Sequence, residues 1–593
     1  MRRGVILGAV LAVLLPVAAA QAATPRPIVY AVVIDGLDGD KVDEGKAPFI
    51  SSLLDGHATY YRESRSVMIA ETNPNHVAMM TGAYGNTSGF PGNAFALYAP
   101  LANASTCQAT GPADESKPPT PTSGESPTCR AAETVFEAIR RQGNPDDLLT
   151  AAIFGKPKLG RIFQNSGVDH LWAPCASGAD DDSYCGDVPT NPVTGYAIDD
   201  RTVMDEVIRT IREGVGARHR RPDFTFVNLH QVDSAGHATG TGAAYDAAIM
   251  QADDEIARLV GELQSRGEWQ RTVLILLSDH SMDTTLVKTN LKSSFTAGGI
   301  SSNDFVIVQN GSVDLVYLAN RTSPNRYELL KRMRAQALAT GNVQEALYRE
   351  PNPADGGAAN TLAAAHPAWH LDGARTGDLV VTHKPGGAFT DPGSFDNPLT
   401  GNHGGPQTRD NFFAVTGGGD GVRSQSLAGN RDAFFDDTLS NPGQAENVDV
   451  AATVMGLFGL QPPRDNSGRF LSEAFNLGAV SGAGAPAARA GRPRLHVRAL
   501  TRRRCAPARR YRVSWVPRGA RYDLTRRTHN RTRTLLRNSP RTRTRVKLRS
   551  GHRYRIRVRM RAASGVPGRW ASRGVRVLRC LRAPRARPGH GRR

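Results

Sequence analysis

Cysteine is scarce: six residues in 593, falling into three local groups, Cys107 with Cys129, Cys175 with Cys185, and Cys505 with Cys580. In an exported chain such residues read as disulfides rather than as metal ligands or nucleophiles, and sequence alone leaves their pairing open. Long apolar runs are lacking as well. After the first 23 residues no stretch is apolar for long enough to span a bilayer, which excludes a transmembrane helix from the mature chain. The glycine stretches, GTGAAYD among them, lack the Lys-Ser/Thr of a phosphate loop. No internal repeat is visible. Acid is nearly absent from the C-terminal end, where residues 491–593 carry 35 of the 74 Lys and Arg and a single carboxylate, Asp523.

That asymmetry divides the net charge of +19 into +34 for the last 103 residues and −15 for the rest. The basicity belongs to the end of the chain and says nothing about chemistry upstream. At the other end, MRRGVILGAVLAVLLPVAAAQAA has two arginines, an apolar stretch too short for a membrane span and small residues at its close. Residues 1–23 read as a secretory signal peptide, so a secreted or cell-surface protein is expected.

Between residues 24 and 480 short β-rich runs alternate with helical stretches: IVYAVVID before APFISSLLDG, FTFVNLHQVD before AAYDAAIMQADDEIARLVGELQ, then TVLILLSDH. This alternation predicts an α/β domain with a mostly parallel sheet flanked by helices. Active sites of such sheets lie beyond the carboxyl ends of the strands. Residues 481–494, containing SGAGAPAARAGRP, have linker composition. Residues 495–582 then carry strand patterns, of which RYRIRVRM is the clearest, with Tyr554, Ile556, Val558 and Met560 on one face and Arg553, Arg555, Arg557 and Arg559 on the other. A small all-β sandwich resembling a fibronectin type III module is expected there, followed by a basic end, 583–593. The loops 101–130 and 383–410 read as surface insertions.

Acids and imidazoles recur at the predicted strand ends. Asp35 closes IVYAVVID, Asp233 and His237 lie in HQVDSAGH, Asp279 and His280 close TVLILLSDH, and His403 lies in GNHGG. Singly, each Asp is a cap or turn residue and each His a solvated loop residue. Together they form a nitrogen and oxygen donor set without sulfur, which suits zinc and, less well, manganese or iron. Thr72, in ETNPNHVAMMTG, stands just before Pro74, where a helix is predicted to begin with its positive end toward any bound anion.

IDG, TNPNH with MTG, SGFPGN, DSAGH, SDHSM and GNHGG resemble, in order, the motifs of the alkaline phosphatase superfamily in its type I phosphodiesterase and nucleotide pyrophosphatase branch. NVDVAATVMGLFGLQPP resembles that family's closing helix and turn. The resemblance implies an alkaline-phosphatase-like fold and two zinc ions, one held by Asp233, His237 and His403, the other by Asp35, Asp279 and His280 with the oxygen of Thr72. It further implies Thr72 as nucleophile, a phosphothreonine intermediate, and Asn93 as donor to a non-bridging phosphoryl oxygen. Asn73 departs from the family, which has an aromatic there and uses it at the leaving-group pocket, and Ser281 replaces a glycine. His76 belongs to the motif without being a ligand.

Lys156 and Lys158, in IFGKPKLGRIF, resemble the lysine pair with which phosphonoacetate hydrolases and related monoesterases grip a terminal phosphoryl or carboxylate. A dianionic monoester would be favoured by the added charge; the alternative is a solvated pair on a loop. HPAWH is discounted as a metal site because Pro367 breaks the helix that would align its histidines. A sulfatase is excluded because no Cys or Ser nucleophile motif follows the first Asp. The substrate expected is a phosphorylated small molecule or nucleotide, as diester or pyrophosphate, with monoester or phosphonate as the alternative. From another class stands an inactive scaffold whose Arg-rich module binds polyanions such as cell-wall polymer or nucleic acid. Aromatics are not interleaved on that module's exposed face, and its arginines also fit a spacer under coding bias.

Overall fold

The computed structural model of the chain describes residues 26–144, 147–174, 185–186, 199–217, 219–391, 399–431 and 444–476, and in the C-terminal region 494–499, 508–516, 521–528, 532–539, 541, 543–549, 552–561 and 571–577. The leader 1–23, the linker up to residue 493 and the basic end 583–593 lie outside the described residues, as do Cys175, Cys505, Cys580 and the side chain of Cys185. Cys107 and Cys129 form a disulfide. No helix among the described residues is long and apolar enough to cross a membrane.

The main sheet has nine strands: β1 (Ile28–Ile34), β2 (Ala58–Tyr61), β3 (Thr150–Phe154), β4 (His170–Pro174), β5 (Cys185–Gly186), β6 (Phe224–Leu229), β7 (Thr272–Leu277), β8 (Phe413–Thr416) and β9 (Gln425–Leu427). Their order is β9-β2-β8-β7-β1-β6-β3-β4-β5. All neighbours pair in parallel except β8, which runs antiparallel to β7 and β2. The expected mixed α/β architecture with a mostly parallel sheet is what forms. IVYAVVI and TVLILL are buried at every position. That is why they read as unbroken apolar runs: a sheet covered on both faces has no solvent side to alternate with. Val29, Ala31 and Val33 feed one apolar layer, while Ile28, Tyr30, Val32 and Ile34 feed the other.

The helices that matter for the site are α1 (Pro48–His57), α2 (Thr72–Thr81), α3 (Pro157–Phe163), α4 (Gln231–Thr239) and α5 (Ala243–Ser265). α2 begins at Thr72 rather than at Pro74. Glu71 occupies the N-cap position with extended backbone, φ −132° and ψ 165°, and makes no side-chain cap. The missing cap is supplied from elsewhere in the fold: Asn93 Oδ1 accepts from Asn73 N at 2.8 Å.

A second, four-stranded antiparallel sheet orders Phe305–Asn310, Val313–Leu318, Leu379–His383 and Val343–Tyr348. Helix α6 (Arg326–Leu338) contributes Leu330, Met333 and Ala337 to its separate core. No feature of the sequence separates this unit from the main sheet. The segment 383–410, expected as a surface insertion, is instead largely buried where described, from Gly387 to Phe389 and from Gly401 to His403. Where described, its glycines permit close packing: a Cβ at Gly401 would lie 2.0 Å from Gly236 O. The C-terminal strands form two antiparallel sheets, one of three strands and one of four. Tyr554, Ile556 and Val558 are buried while Arg553 and Arg555 are exposed.

Candidate active site

β7, β1, β6 and β3 are neighbours in parallel, and each delivers polar residues past its carboxyl end. The register sets Val33 opposite both Leu277 and Asn228, so the strand ends are level. Asp35 follows β1, Asp279 and His280 follow β7, Lys156 follows β3, and Asp233 with His237 ride on α4 after β6. Asp233 and His237 are four apart on a helix and therefore share one face. Gly36 makes the close approach possible. Its φ is +76°, and a Cβ there would lie 3.0 Å from Asp233 Cα and Cβ. His403 arrives on the segment Gly401–Asn402 and its turn, docked by Ala70 N donating to Gly404 O at 3.1 Å, directly before Thr72.

The seven residues expected as metal ligands converge. Asp233 Oδ1 lies 3.4 Å from His237 Nε2 and 3.5 Å from His403 Nε2, and the two Nε2 atoms are 3.2 Å apart. His280 Nε2 is 3.3 Å from Asp279 Oδ2 and 3.7 Å from Asp35 Oδ1. His280 also falls within ligand reach of Asp233 and His403, and its ring stacks on that of His403 at 3.7 Å, so it lies between the two groups. Thr72 Oγ1 is joined to both groups by Lys156, whose Nζ donates to Thr72 Oγ1 at 3.1 Å, to Asp35 Oδ1 at 2.8 Å and to Asp233 Oδ2 at 2.8 Å.

The tautomers show what this arrangement fits. His237 Nδ1 faces Gly401 O at 2.9 Å, His280 Nδ1 faces Ser281 O at 2.9 Å and His403 Nδ1 faces Ala70 O at 3.1 Å. A carbonyl only accepts, so each Nδ1 carries the proton and each Nε2 turns a lone pair inward. Asp233 Oδ1, Asp279 Oδ2 and His280 Nε2 are buried without a hydrogen-bond donor. Converging lone pairs and carboxylate oxygens with the far ring nitrogens pinned are the donor chemistry of a divalent metal site. His76 behaves differently: Nδ1 meets Thr72 O at 2.9 Å and Nε2 accepts from Asn228 Nδ2 at 3.0 Å, so both nitrogens are used.

Electrostatics follow the same pattern. Burial lowers His76 to about 3 and His280 to about 4, and drives His403 well below the ordinary range with the help of its imidazole neighbours. The rings are neutral, as ligands must be. Burial pushes Asp35 and Asp233 up, but the Lys156 ammonium pulls both below the usual carboxylate range. Asp279, displaced upward by burial and by the charge of Asp35, goes the other way.

Asn93 is half-buried in the SGFPGN loop. Its N–H donates to Glu71 Oε2 at 2.6 Å, and with Oδ1 committed to Asn73 N its Nδ2 is left as the free donor. Asn73 Nδ2 is 3.4 Å from Asn93 O and from Ser123 O, bracing the loop. Lys158 lies in the first turn of α3 and makes no hydrogen bond to Thr72. It acts on the site through charge, lowered by burial and by Lys156. Three contributors escaped the sequence reading: Glu71, Asn228, whose Nδ2 also donates to Asp35 Oδ2 at 2.8 Å, and Asn447, whose Nδ2 donates to Asp279 O at 3.0 Å. His366 pairs with Glu345 and stacks on Trp369, and the His370 ring lies tilted against that of Tyr84 at 4.3 Å, so HPAWH is structural.

The sequence pattern of the type I phosphodiesterase/nucleotide pyrophosphatase family matches residues 29–406, which contain every one of these candidate ligands. The chain belongs to that family. Among solved structures it is similar to murine ectonucleotide pyrophosphatase/phosphodiesterase 5, with 15% identity and a TM-score of 0.52, covering 73% of this chain and 96% of that one. An inactive variant of the murine protein in complex with AMP also matches, with 15% identity and a TM-score of 0.52 over 74% and 96% of the two chains. The human counterpart matches at 14% identity and a TM-score of 0.52 over 76% and 100%. These likenesses establish the shared fold. No curated protein matches the chain. Family membership makes the domain a phosphoester hydrolase.

Proposed function

We propose that the chain is an exported two-zinc phosphodiesterase or nucleotide pyrophosphatase that works through a phosphothreonine at Thr72. The observation that carries this reading is the placement of Thr72 at the N-terminus of α2, beside two groups of inward-turned imidazole and carboxylate ligands. Asp233, His237 and His403 would hold one ion, and Asp35, Asp279 and His280 the other. Bound zinc would supply Lewis acidity, lowering the pKa of the Thr72 hydroxyl and offsetting phosphoryl charge.

The protein's own groups divide the remaining work. Thr72 Oγ forms the bond to phosphorus as the bond to the leaving oxygen breaks, and water later cleaves the phosphothreonine to restore the hydroxyl. Asn93 Nδ2, fixed by Glu71 and Asn73, donates to a non-bridging oxygen. The positive end of α2 faces the same oxygen cluster, with Thr72 N–H as its donor because Asn73 N–H is engaged and Pro74 has none. The AMP complex of the murine relative supports a nucleotide as the substrate class.

A second reading, monoester or phosphonate hydrolysis, is favoured by Lys156 Nζ standing 3.1 Å from Thr72 Oγ1. An inactive scaffold is the weaker rival, since it would need neither Thr72 nor any ligand. In the C-terminal region, the three-plus-four strand arrangement supports the fibronectin-type sandwich, and its exposed arginines support weak polyanion binding.

The deciding experiment is hydrolysis of bis-(p-nitrophenyl) phosphate by zinc-loaded wild type and Thr72→Ala, with acid-quenched trapping of labelled phosphoprotein. Turnover lower by about a thousandfold or more in the variant, together with loss of the label, supports the mechanism. Undiminished turnover in Thr72→Ala rejects it.

A further inference from the structure

In the four-stranded C-terminal sheet, strand Arg553–Arg561 lies between Arg521–Arg527 and Ala571–Arg576, and Thr532–Ser539 pairs with the far side of Arg521–Arg527. Tyr554, Ile556 and Val558 turn into the core, so by alternation Arg553, Arg555, Arg557 and Arg559 stand on the other face. Residues directly opposite one another in a sheet share a face. The register sets Arg527 opposite Arg555 and Arg576 opposite Arg553, which brings six arginines to one face.

The single carboxylate of residues 491–593, Asp523, lies opposite Arg559 and accepts from its Nε at 2.7 Å. Elsewhere on the face like charges oppose one another, which weakens a ladder. Burial, followed by the charges of Arg527, Arg555 and Arg559, lowers the pKa of Arg557 from its usual value. Folding gains nothing from gathering these cations; a polyanion laid over them would relieve their repulsion. The rest of the face is small and hydroxylic. Thr532 lies opposite Arg527, Thr534 opposite Thr525, and Ser572 opposite Arg557, and Thr532, Thr534 and Ser572 are exposed. Tyr522 and Tyr554 are buried. Among the described residues the face therefore has no ring on which a base would stack and no apolar side chain to enter a bilayer.

We propose, building on polyanion binding by this module, that the face binds a linear phosphodiester polymer without bases, a polyol phosphate, laid along Arg553, Arg555 and Arg557. Side chains on one face of a strand recur about every 6.8 Å, close to the separation of successive phosphates in an extended chain. Guanidinium forks suit phosphate oxygens. Arg527 and Arg576 flank the column, and the hydroxyls of Thr532, Thr534 and Ser572 suit those of a polyol.

The test is fluorescence anisotropy with the full chain carrying Thr72→Ala, so that a phosphodiester probe is not consumed. The labelled probes are poly(glycerol phosphate), an abasic oligodeoxynucleotide, the corresponding oligothymidylate, and polyglutamate. Poly(glycerol phosphate) should bind with a log–log salt slope of about −3, from about four contacts at about −0.7 each. Arg555→Gln with Arg557→Gln should weaken that binding about tenfold at low salt and flatten the slope by about 1.4. Arg543→Gln with Arg545→Gln removes the same charge from exposed positions on the other C-terminal sheet and should change binding little. Equal losses in the two double variants overturn the assignment to this face. Oligothymidylate bound well above the abasic chain overturns it in favour of nucleic acid. Polyglutamate bound as tightly as poly(glycerol phosphate) overturns the phosphodiester chemistry while leaving polyanion binding in place, and no binding by any probe overturns both. None of these outcomes depends on turnover at Thr72. If Arg555→Gln with Arg557→Gln is unfolded by circular dichroism, Arg527→Gln with Arg576→Gln decides by the same comparison.

Discussion

The Nε2 atoms of His237 and His403 face each other at 3.2 Å, while each ring's Nδ1 is committed to a backbone carbonyl. Two neutral rings in these tautomers present lone pair to lone pair, and only a cation relieves the contact. Chelation should therefore abolish phosphodiester turnover and also lower the melting temperature, since an ion present at a hundredfold its Kd stabilises the native state by about 2.7 kcal/mol. Elemental analysis with and without chelator, paired with thermal melts, checks this. An enzyme that keeps its turnover and melting point after complete metal removal would contradict the assignment.

Asn93 is oriented from two sides, by Glu71 Oε2 at its N–H and by Asn73 N–H at its Oδ1. Asn93→Ala should lower kcat by about a hundredfold or more, the loss expected for one preorganised oxyanion donor. Glu71→Ala, which frees the loop without removing the donor, should lower kcat less while metal content stays at the wild-type level. Equal losses in the two variants, with metal lost in the second, would instead make Glu71 a support of the ligands.

The strands that position the site were legible because burial on both faces writes them as unbroken apolar runs, as in TVLILL. Five of the candidate ligands, Asp35, Asp233, His237, Asp279 and His280, were legible because they follow such runs, whereas His403 follows a glycine-rich stretch and was marked by its motif alone. What remained hidden depends on contacts between distant residues. Asn228 serves Asp35 across 193 positions, and nothing local marks an asparagine inside FTFVNL as a hydrogen-bond donor to a carboxylate. The start of α2 was displaced from Pro74 to Thr72 for the same reason: its cap comes from Asn93, 20 residues away from Asn73. The second sheet went unseen because its strands pair antiparallel out of chain order, with Leu379–His383 between Val313–Leu318 and Val343–Tyr348.

Glu446 accepts from Tyr84 OH at 2.9 Å, and burial, reinforced by Asp449, raises its pKa from the usual 4.5 to about 7. The folded state therefore holds a proton that the unfolded chain gives up between those values. Its stabilising contribution is complete below about pH 4.5 and is lost as pH rises through about 7. Glu446→Gln, which mimics the protonated acid, should melt at nearly the wild-type temperature at pH 4.5 and above it at pH 8. A wild type whose stability relative to Glu446→Gln grows with pH would reverse the sign and refute this reading.

Lys156 Nζ touches Thr72 Oγ1, Asp35 and Asp233 at once, so a substrate phosphoryl group bonded to Thr72 would form within its reach. A monoester brings one more negative charge to that position than a diester does, and the charge is felt in a buried site where Lys156 is 2% exposed. Lys156→Ala should therefore reduce kcat/KM for p-nitrophenyl phosphate about tenfold or more beyond its effect on bis-(p-nitrophenyl) phosphate, a difference of one charge-assisted hydrogen bond. Because the ammonium also holds Asp35 and Asp233 ionised, some loss should be common to both substrates, and Lys156→Arg should recover part of the common loss. The ratio between substrates, not the absolute rate, separates the two roles. A ratio unchanged by Lys156→Ala would leave the lysine as a support for the carboxylates and assign the chain to the diester side of its family.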